Sequence, residues 1–238
     1  MVAEPKTLDK SRSEIQRMFS EVAPRYDFLN RLLSARRDVS WRRAAAAALE
    51  IEAGSRAIDL CCGTGDQALA VQQRDARVLA TDFSISMLSL AQRKFATANR
   101  PQPQGLAGDT LQLPLGDGQF AGLTVSFGVR NVEHLQDALQ EMYRVLEPGG
   151  TAAILEFATP RGRILRSMYL LYFVHLLPRI GRWISHRGSA YQYLTESVLS
   201  FPQRSDFTDE MRQAGFINTA WQDLSGGIVC LYTGTRST

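Results

Sequence analysis

A glycine turn and a spaced aspartate form the most informative chemical pattern in the sequence. Residues 58–65 read IDLCCGTG, so a short apolar run leads directly into a glycine-containing turn. Such a turn lets a ligand approach the backbone closely, because glycine has no side chain and tolerates left-handed conformations. Asp82 follows Gly63 by 19 positions, where an acidic residue that binds ribose hydroxyls is expected. The pattern predicts a nucleotide site at the carboxyl edge of a sheet.

Two classes of nucleotide fit this pattern. Gly63, Gly65 and Ala68 match the dinucleotide fingerprint, so an NAD dehydrogenase is one interpretation. Asp59 argues against it, because a carboxylate near the end of the first strand repels a pyrophosphate and attracts an ammonium. Asp109, after the third predicted strand, is suited to an adenine amino group. These acids favour an adenine-containing ligand that carries an ammonium.

The elements that must position these residues alternate between strand and helix. Apolar runs predict strands over 56–60, 77–81, 105–107, 123–127 and 151–157. Helical stretches lie between them, and one of them is expected to be capped by Ser84. Residues 217–224 and 228–235 predict a closing hairpin. This order indicates an α/β doubly wound, mostly parallel sheet of Rossmann-like type.

Two segments fall outside that alternation. Residues 1–53 show helical spacing and are predicted to form an N-terminal helical lid, and residues 54–238 the main domain. Within the main domain, an aromatic and basic stretch at about 161–201 is predicted to be a helical insertion.

Composition limits the function classes. The 238 residues are 45% hydrophobic and 21% charged, which is typical of a globular protein. A net charge of +3 is too small to indicate nucleic-acid binding, although it permits weak attraction to an anionic membrane. The three cysteines lack metal-ligand spacing, so we expect no metal site and a reducing, cytoplasmic compartment. The longest apolar run, 168–177, is too short to span a membrane, and the polar first ten residues do not resemble a secretion signal.

The layout over residues 54–236 resembles the class I S-adenosylmethionine-dependent methyltransferases. The resemblance implies S-adenosyl-L-methionine as the cofactor, with Asp82 at its ribose hydroxyls. It further implies that the remaining contacts to the cofactor come from Asp59, Gly63, Thr64, Gly65, Asp109, Thr110 and Ser126. Cys61 departs from the family pattern, since many such enzymes have glycine there, and we interpret it as a small packing residue.

Longer phrases are more specific. Residues 127–132 (FGVRNV), 19–27 (FSEVAPRYD) and 142–146 (MYRVL) resemble the menaquinone and ubiquinone biosynthesis C-methyltransferases, and the likeness extends from Ile15 to Thr235. It implies a polyprenyl quinol as the acceptor. Demethylmenaquinol is the leading candidate, and 2-methoxy-6-polyprenyl-benzoquinol is the alternative. The Asp/Asn-Pro-Pro-aromatic stretch expected for methylation of nucleic-acid amino groups is absent after the fourth strand.

The same resemblance implies catalytic roles. Arg130 would stabilise a developing phenolate and Asn131 would bind the same oxygen, while Tyr26 and Asp27 would belong to a lid over the quinol. Each role has a structural alternative. Arg130 could form an ion pair with Asp27 or Glu156, and the two lid residues could only pack and cap.

A lipid acceptor requires the protein to reach a membrane. Basic residues surround apolar ones between 161 and 187, which fits transient docking at a membrane surface. The basic residues are Arg161, Arg163, Arg166, Arg179, Arg182 and Arg187, and the apolar ones include Met168, Leu171, Phe173, Leu176 and Trp183. A buried cap whose arginines face water is the alternative. More distant interpretations are a small-phenol O-methyltransferase and a non-catalytic cofactor-binding subunit; the resemblance also allows a homodimer.

Overall fold

A single mixed sheet forms the centre of the computed structural model, which describes residues 11–23, 26–97, 102–171 and 189–238. Its strands are β1 (Arg56–Leu60), β2 (Arg77–Asp82), β3 (Gln104–Ala107), β4 (Phe120–Ser126), β5 (Leu146–Phe157), β6 (Ile217–Leu224) and β7 (Val229–Thr235). The seven strands lie in the order β3-β2-β1-β4-β5-β7-β6. Only β7 runs antiparallel to its neighbours, β5 and β6. The predicted doubly wound sheet with a closing hairpin is confirmed.

Helices cover both faces of this sheet. They are α1 (Arg12–Val22), α2 (Tyr26–Leu33), α3 (Arg37–Ala47), α4 (Asp66–Gln72), α5 (Ile85–Ala96), α6 (Leu135–Val145), α7 (Arg163–Leu170), α8 (Ser189–Ser200) and α9 (Ser205–Gln213). Side chains alternate along each strand, so the sheet contributes to two cores. One core contains α6 and α9, and the other contains α3, α4 and α5. The predicted cap of α5 is confirmed, since Ser84 Oγ accepts a hydrogen bond from the Met87 amide at 3.5 Å.

Several strand ends differ from the sequence prediction, and two of them have a clear structural reason. The fourth strand ends at Ser126 because Phe127 has a φ of 62°, which is incompatible with an extended strand. The fifth begins at Leu146 rather than at 151, since Leu146 pairs with Phe120 ahead of an irregularity in the register. The chain therefore leaves β4 through a tight turn at the edge of the sheet where the predicted site lies.

The N-terminal helices are not one detached unit. Trp41, Ala45 and Leu49, in and just after α3, are buried in the same core as Ala57 of β1 and Ala68 of α4. The third helix is thus part of the main core, and the predicted boundary at residue 53 does not coincide with a break in packing. Only α1 and α2 remain as candidates for a lid.

The predicted helical insertion is described in part. Helices α7 and α8 lie within 161–201, whereas residues 172–188 lie outside the described residues. The sequence expectations for Phe173, His175, Leu176, Arg179, Arg182, Trp183 and Arg187 fall in that undescribed segment. None of the helices that the structure describes is long and apolar enough to cross a membrane.

Candidate active site

A cavity of about 290 Å³ lies at the carboxyl ends of β1, β2 and β4, beneath α1 and α2. It brings together seven of the residues predicted from the sequence, namely Tyr26, Gly63, Asp82, Asp109, Thr110, Ser126 and Asn131. The parallel strands place these side chains at one edge, as expected for a doubly wound sheet. Five other predicted residues, Asp27, Asp59, Thr64, Gly65 and Arg130, do not line it.

Asp82, the last residue of β2, is held by backbone donors on both sides. Its Oδ2 accepts a hydrogen bond from the Gly63 amide and its Oδ1 one from the Ser84 amide, each at 2.8 Å. Burial raises the pKa of this carboxyl, and the two amides oppose that shift. A carboxylate offers about four lone-pair sites. Asp82 therefore keeps acceptor capacity for the hydroxyls of a ribose.

The turn that precedes α4 depends on left-handed backbone at three positions. Cys61, Gly63 and Gly65 have φ values of 51°, 54° and 84°. A Cβ on Gly65 would lie 2.5 Å from a ring carbon of Phe95 in α5, so only glycine lets α5 pack this closely. Gly65 thus affects the turn through its packing against α5 and does not line the cavity. Cys61 adopts the left-handed conformation without being glycine and lines the cavity.

Asp59 lies under the turn rather than in the cavity wall. It is 1% exposed, and one carboxylate oxygen accepts a hydrogen bond from Thr124 Oγ1 at 2.8 Å. The other oxygen has no partner among the described residues. Burial raises the pKa of Asp59 to about 7, although the hydrogen bond from Thr124 and the positive charge of Arg42 both lower it. This carboxylate is suited to a cation.

The remaining polar groups of the wall are fixed by short contacts. Asp109 Oδ1 accepts from the Leu111 amide at 3.0 Å. The Thr110 hydroxyl lies 3.3 Å from Cys61 Sγ, which links the third strand's exit to the glycine turn. Ser126 Oγ donates to Gln67 Oε1 at 3.0 Å. These contacts hold the wall in one conformation.

Thr64 and Asp27 bind each other instead of facing the cavity. The Thr64 hydroxyl donates to Asp27 Oδ1 at 2.5 Å, and Lys94 Nζ lies 2.7 Å from both Asp27 Oδ2 and Asp66 Oδ1. The same cluster continues through Arg31, which pairs with Asp66 at 2.9 Å and also with Asp38. A direct contact of Asp27 with the acceptor is therefore not supported, because its two oxygens hold α2 against the turn before α4 and against α5.

Arg130 also differs from the expectation. Its Nη1 lies 2.9 Å from Glu156 Oε2, in a pair whose side chains are 6% and 0% exposed. The same nitrogen donates to the Phe127 carbonyl at 2.5 Å, and the Arg130 amide donates to Glu156 Oε1 at 3.2 Å. The ion pair with Glu156 is the alternative that the sequence left open, and it is confirmed. A catalytic role for a guanidinium that faces the cavity is not supported, because the carboxylate of Glu156 neutralises the charge of Arg130.

Asn131 follows directly and does face the cavity. It ends the short 3₁₀ turn Val129–Asn131, and its amide oxygen is buried without a partner among the described residues. The Arg130 contacts fix the turn that presents it.

The apolar part of the cavity wall was not predicted from the sequence. The cavity is also lined by Ile15, Phe19, Phe83, Met87, Leu111, Phe127, Gly128, Val132 and Glu133. Four of these residues, Phe83, Leu111, Phe127 and Val132, directly follow a predicted polar residue in the chain, and that adjacency was the available signal. The helical spacing of Ile15 and Phe19 predicts a helix, but it does not predict which part of the protein that helix packs against.

Comparison with known proteins identifies the family of this chain. Residues 6–236 match the model of the ubiE/COQ5 methyltransferase family. The chain belongs to this family. A demethylmenaquinone methyltransferase of Streptomyces avermitilis is 38% identical over 97% of this chain and 98% of its own length. The ubiquinone/menaquinone biosynthesis C-methyltransferase UbiE of Geobacter sulfurreducens is 41% identical, over 96% of this chain and 91% of its own.

Solved structures agree on the fold of this ubiE/COQ5 methyltransferase. A SAM-dependent methyltransferase of Thermotoga maritima has a TM-score of 0.65 at 20% identity, over 93% of this chain and 99% of that one. A phosphoethanolamine N-methyltransferase of Haemonchus contortus in complex with S-adenosyl-L-methionine has a TM-score of 0.63 at 12% identity, over 84% of this chain and 53% of that one. At these identities the likeness shows a shared class I methyltransferase fold.

Proposed function

We propose that this protein transfers a methyl group from S-adenosyl-L-methionine to a ring carbon of a polyprenyl quinol, with demethylmenaquinol as the leading acceptor. One observation carries the proposal. A single cavity combines the acids expected for an adenosyl ligand, Asp82 and Asp109, with an apolar roof from α1 and α2. The names of the relatives from Streptomyces avermitilis and Geobacter sulfurreducens support the quinone class of acceptor.

The residues present fit the cofactor. Asp82 has free acceptor capacity for ribose hydroxyls, Asp109 and Thr110 line the same cavity and would hold the adenine, and Gly63 leaves open space in the cavity. The unpartnered oxygen of Asp59 matches an ammonium. When bound, the cofactor supplies an electrophilic methyl group. The role of the chain is to hold it beside an acceptor and to keep water away.

The acceptor must be in its reduced form. A quinol ring carbon beside a hydroxyl gains electron density when that hydroxyl loses its proton, whereas an oxidised quinone is itself electrophilic. We assign Asn131 to that oxygen, since this residue lines the cavity and its amide oxygen lacks a partner among the described residues. An amide oxygen accepts the phenolic O–H, and the amide N–H₂ can donate to the phenolate.

Arg130 acts as a positioning residue in this proposal. Its pairing with Glu156 and with the Phe127 carbonyl fixes the turn before Asn131. Tyr26 forms the roof: its ring lies 6.2 Å from that of Phe19 and 4.0 Å from the position of a Cβ on Gly63. The roof excludes water from the transferring methyl group and orients the flat quinol ring.

The polyprenyl tail requires contact with a lipid surface. Helix α7 presents Ile164 and Met168 at 80% and 64% exposure, and Leu171 directly after it is 65% exposed. Arg163 and Arg166 on the same short helix are exposed as well. Apolar side chains flanked by arginines favour transient docking on an anionic membrane. We infer that α7 is part of this docking surface.

The test is methyl transfer from labelled S-adenosyl-L-methionine to demethylmenaquinone, with and without a reductant, followed by mass spectrometry of the product. A ring-carbon methyl that forms only with reductant is the expected result. A 2-methoxy-6-polyprenyl-benzoquinone is run in parallel, because the Geobacter relative is named for both pathways. Methylation of a hydroxyl oxygen, or none of either acceptor, would contradict the proposal.

A further inference from the structure

Arg42 of α3 is a buried cation that forms no ion pair with the residues that the structure describes. The residue is 7% exposed, and its Nε is fully buried with no hydrogen-bond acceptor. Among the residues that the structure describes, the guanidinium forms no ion pair and donates no hydrogen bond. Its recorded contact is with an aromatic ring, since Cζ lies 5.4 Å from the centroid of Phe127. A buried N–H donor without an acceptor is costly, and the Nε of Arg42 is such a donor.

The position of Arg42 connects it to the candidate active site. Phe127, against which the guanidinium packs, lines the cavity at the end of β4. The backbone carbonyl of Arg42 accepts a hydrogen bond from Gln67 Nε2 at 3.3 Å, which ties α3 to α4 just past the glycine turn. The charge of Arg42 also lowers the pKa of Asp59 and of Asp66, on either side of that turn. The guanidinium thus lies at the same sheet edge as the cavity, near the ends of β1 and β4.

Two unsatisfied groups of opposite charge therefore occur at this end of the site. Asp59 has a buried carboxylate oxygen without a partner among the described residues, and Arg42 has a buried Nε without one. An amino-acid group carries an ammonium and a carboxylate on the same carbon, so it complements both. The amino-acid end of the methyl donor is the part of the proposed ligands that has this chemistry.

We propose that Arg42 binds the α-carboxylate of the methyl donor and of its demethylated product, and so selects ligands that carry an intact amino-acid end. The inference rests on the proposed function, because it requires that cofactor. A planar guanidinium is well suited to this task, since it binds a carboxylate through two parallel hydrogen bonds. In this arrangement Asp59 faces the ammonium and Arg42 the carboxylate, at the end opposite the adenine.

Three ligands separate this role from simple packing, and calorimetry measures each affinity without turnover. S-adenosylhomocysteine has the whole amino-acid end, S-adenosyl-3-thiopropylamine lacks only the carboxylate, and methylthioadenosine lacks both charged groups. For the wild-type protein we expect S-adenosylhomocysteine to bind about 10- to 100-fold more tightly than S-adenosyl-3-thiopropylamine, the range of a charge-assisted hydrogen bond. Equal affinities for these two ligands overturn the proposal, whatever the variants do.

Variants then assign the effect to Arg42. Arg42→Met should remove the preference for S-adenosylhomocysteine and leave the affinity for S-adenosyl-3-thiopropylamine unchanged within about twofold. Arg42→Lys should retain part of the preference, because the charge stays and the planar fork is lost. The control is Arg43→Met, since Arg43 is the adjacent arginine on α3 and is exposed; it should change none of the three affinities.

The outcomes separate this inference from the proposed function. If Arg42→Met weakens all three ligands equally, Arg42 supports the site only by packing, and the inference is wrong while the function stands. If the wild-type protein binds none of the three, the proposed function fails and the inference fails with it. If Arg42→Met does not fold, the wild-type ratio and Arg42→Lys still decide the question.

Discussion

Arg130 and Glu156 form a buried ion pair that joins the turn after β4 to the end of β5. The guanidinium Nη1 lies 2.9 Å from one carboxylate oxygen, and the second oxygen accepts a hydrogen bond from the Arg130 amide at 3.2 Å. The pair fixes the turn in which Asn131 follows Arg130. An arginine that the sequence suggests as a catalytic cation is thereby used to position its neighbour.

The first prediction concerns Glu156→Gln. Removing one charge of a buried pair leaves the other uncompensated, so we expect the free energy of unfolding to fall by about 3 kcal/mol. The turnover number should fall with it, because the turn before Asn131 loosens, while the affinity for S-adenosylhomocysteine should change little. Urea denaturation, calorimetry and a turnover assay measure the three quantities.

The control is an exposed pair of the same chemistry. Asp117, 72% exposed, lies 2.7 Å from Arg144, and Asp117→Asn should lower the free energy of unfolding by less than about 1 kcal/mol. If the Glu156→Gln protein had wild-type stability and turnover, the ion pair would not be needed to position Asn131.

A second prediction concerns the attachment of α2. Lys94 bridges Asp27 of α2 and Asp66 of α4, and the Thr64 hydroxyl binds Asp27 as well. Lys94→Met should loosen α2 and raise the KM for the quinol about fivefold, equivalent to about 1 kcal/mol for a partly exposed ion-pair cluster. Limited proteolysis should cut the segment around α2 faster. Steady-state kinetics at low ionic strength gives the KM.

Arg93→Met is the matched control, because Arg93 is the exposed neighbour of Lys94 on α5. It should leave the KM and the cleavage pattern unchanged. Wild-type behaviour of Lys94→Met at low salt would mean that the cluster does not hold α2 in place.

A third prediction separates two reasons for glycine in the turn before α4. Gly65 and Gly54 both have a φ of 84°, but a Cβ on Gly65 would meet Phe95 at 2.5 Å, whereas a Cβ on Gly54 would meet nothing within 4 Å. Gly54→Ala should therefore lower the free energy of unfolding by about 1–2 kcal/mol through backbone strain alone. Gly65→Ala should cost more, since α5 must also shift.

Chemical denaturation of both variants tests this difference. Gly65→Ala should also weaken S-adenosylhomocysteine binding, because the turn that it displaces contains Gly63, which lines the cavity. Gly54→Ala should leave this binding unchanged. Equal losses of stability in the two variants would remove the packing argument.

The fourth prediction is a pH dependence that arises from Asp59. Burial raises its pKa to about 7 in the folded protein, above the ordinary value of 3.8 that applies to the unfolded chain. Between these two values the folded state binds more protons than the unfolded state, so the contribution of Asp59 to stability falls as pH rises from about 4 to about 7. Asp59→Asn should abolish this part of the slope when the free energy of unfolding is measured from pH 5 to 8.

Ligand binding should show the opposite trend. An ionised Asp59 attracts the ammonium of S-adenosylhomocysteine, so the affinity should rise as pH increases through about 7 in the wild-type protein and stay flat in Asp59→Asn. Asp59→Asn keeps a side-chain oxygen that can accept the hydrogen bond from Thr124 Oγ1. A pH-independent affinity in the wild type would place the ammonium elsewhere.

The sequence predicted the sheet and the polar cavity wall because both depend on local patterns. Residues such as Asp82 and Asp109 follow strands directly, and parallel strands end at one edge, so strand positions alone bring these residues together. The roles of Arg130, Asp27 and Thr64 could not be assigned in the same way. Their partners, Glu156 and Lys94, are distant in the chain, and only tertiary packing decides whether a charge faces the cavity or another side chain.

A fifth prediction concerns the lipid surface. Ile164 and Met168 are 80% and 64% exposed on α7, where one helical turn brings their side chains to the same face. Replacing both by serine should reduce cosedimentation with vesicles that contain anionic lipid by about tenfold, since each apolar side chain contributes roughly 1 kcal/mol or more at a membrane interface.

The matched control is Ile217→Ser, because Ile217 is an apolar residue, 45% exposed, that lies outside α7 at the start of β6. It should leave vesicle binding unchanged. The Ile164→Ser, Met168→Ser protein should also keep its turnover on a short-chain quinol that is soluble in water, and should lose turnover only on long-chain quinol presented in vesicles. Equal loss on both acceptors would mean that α7 supports the cavity rather than docking on lipid.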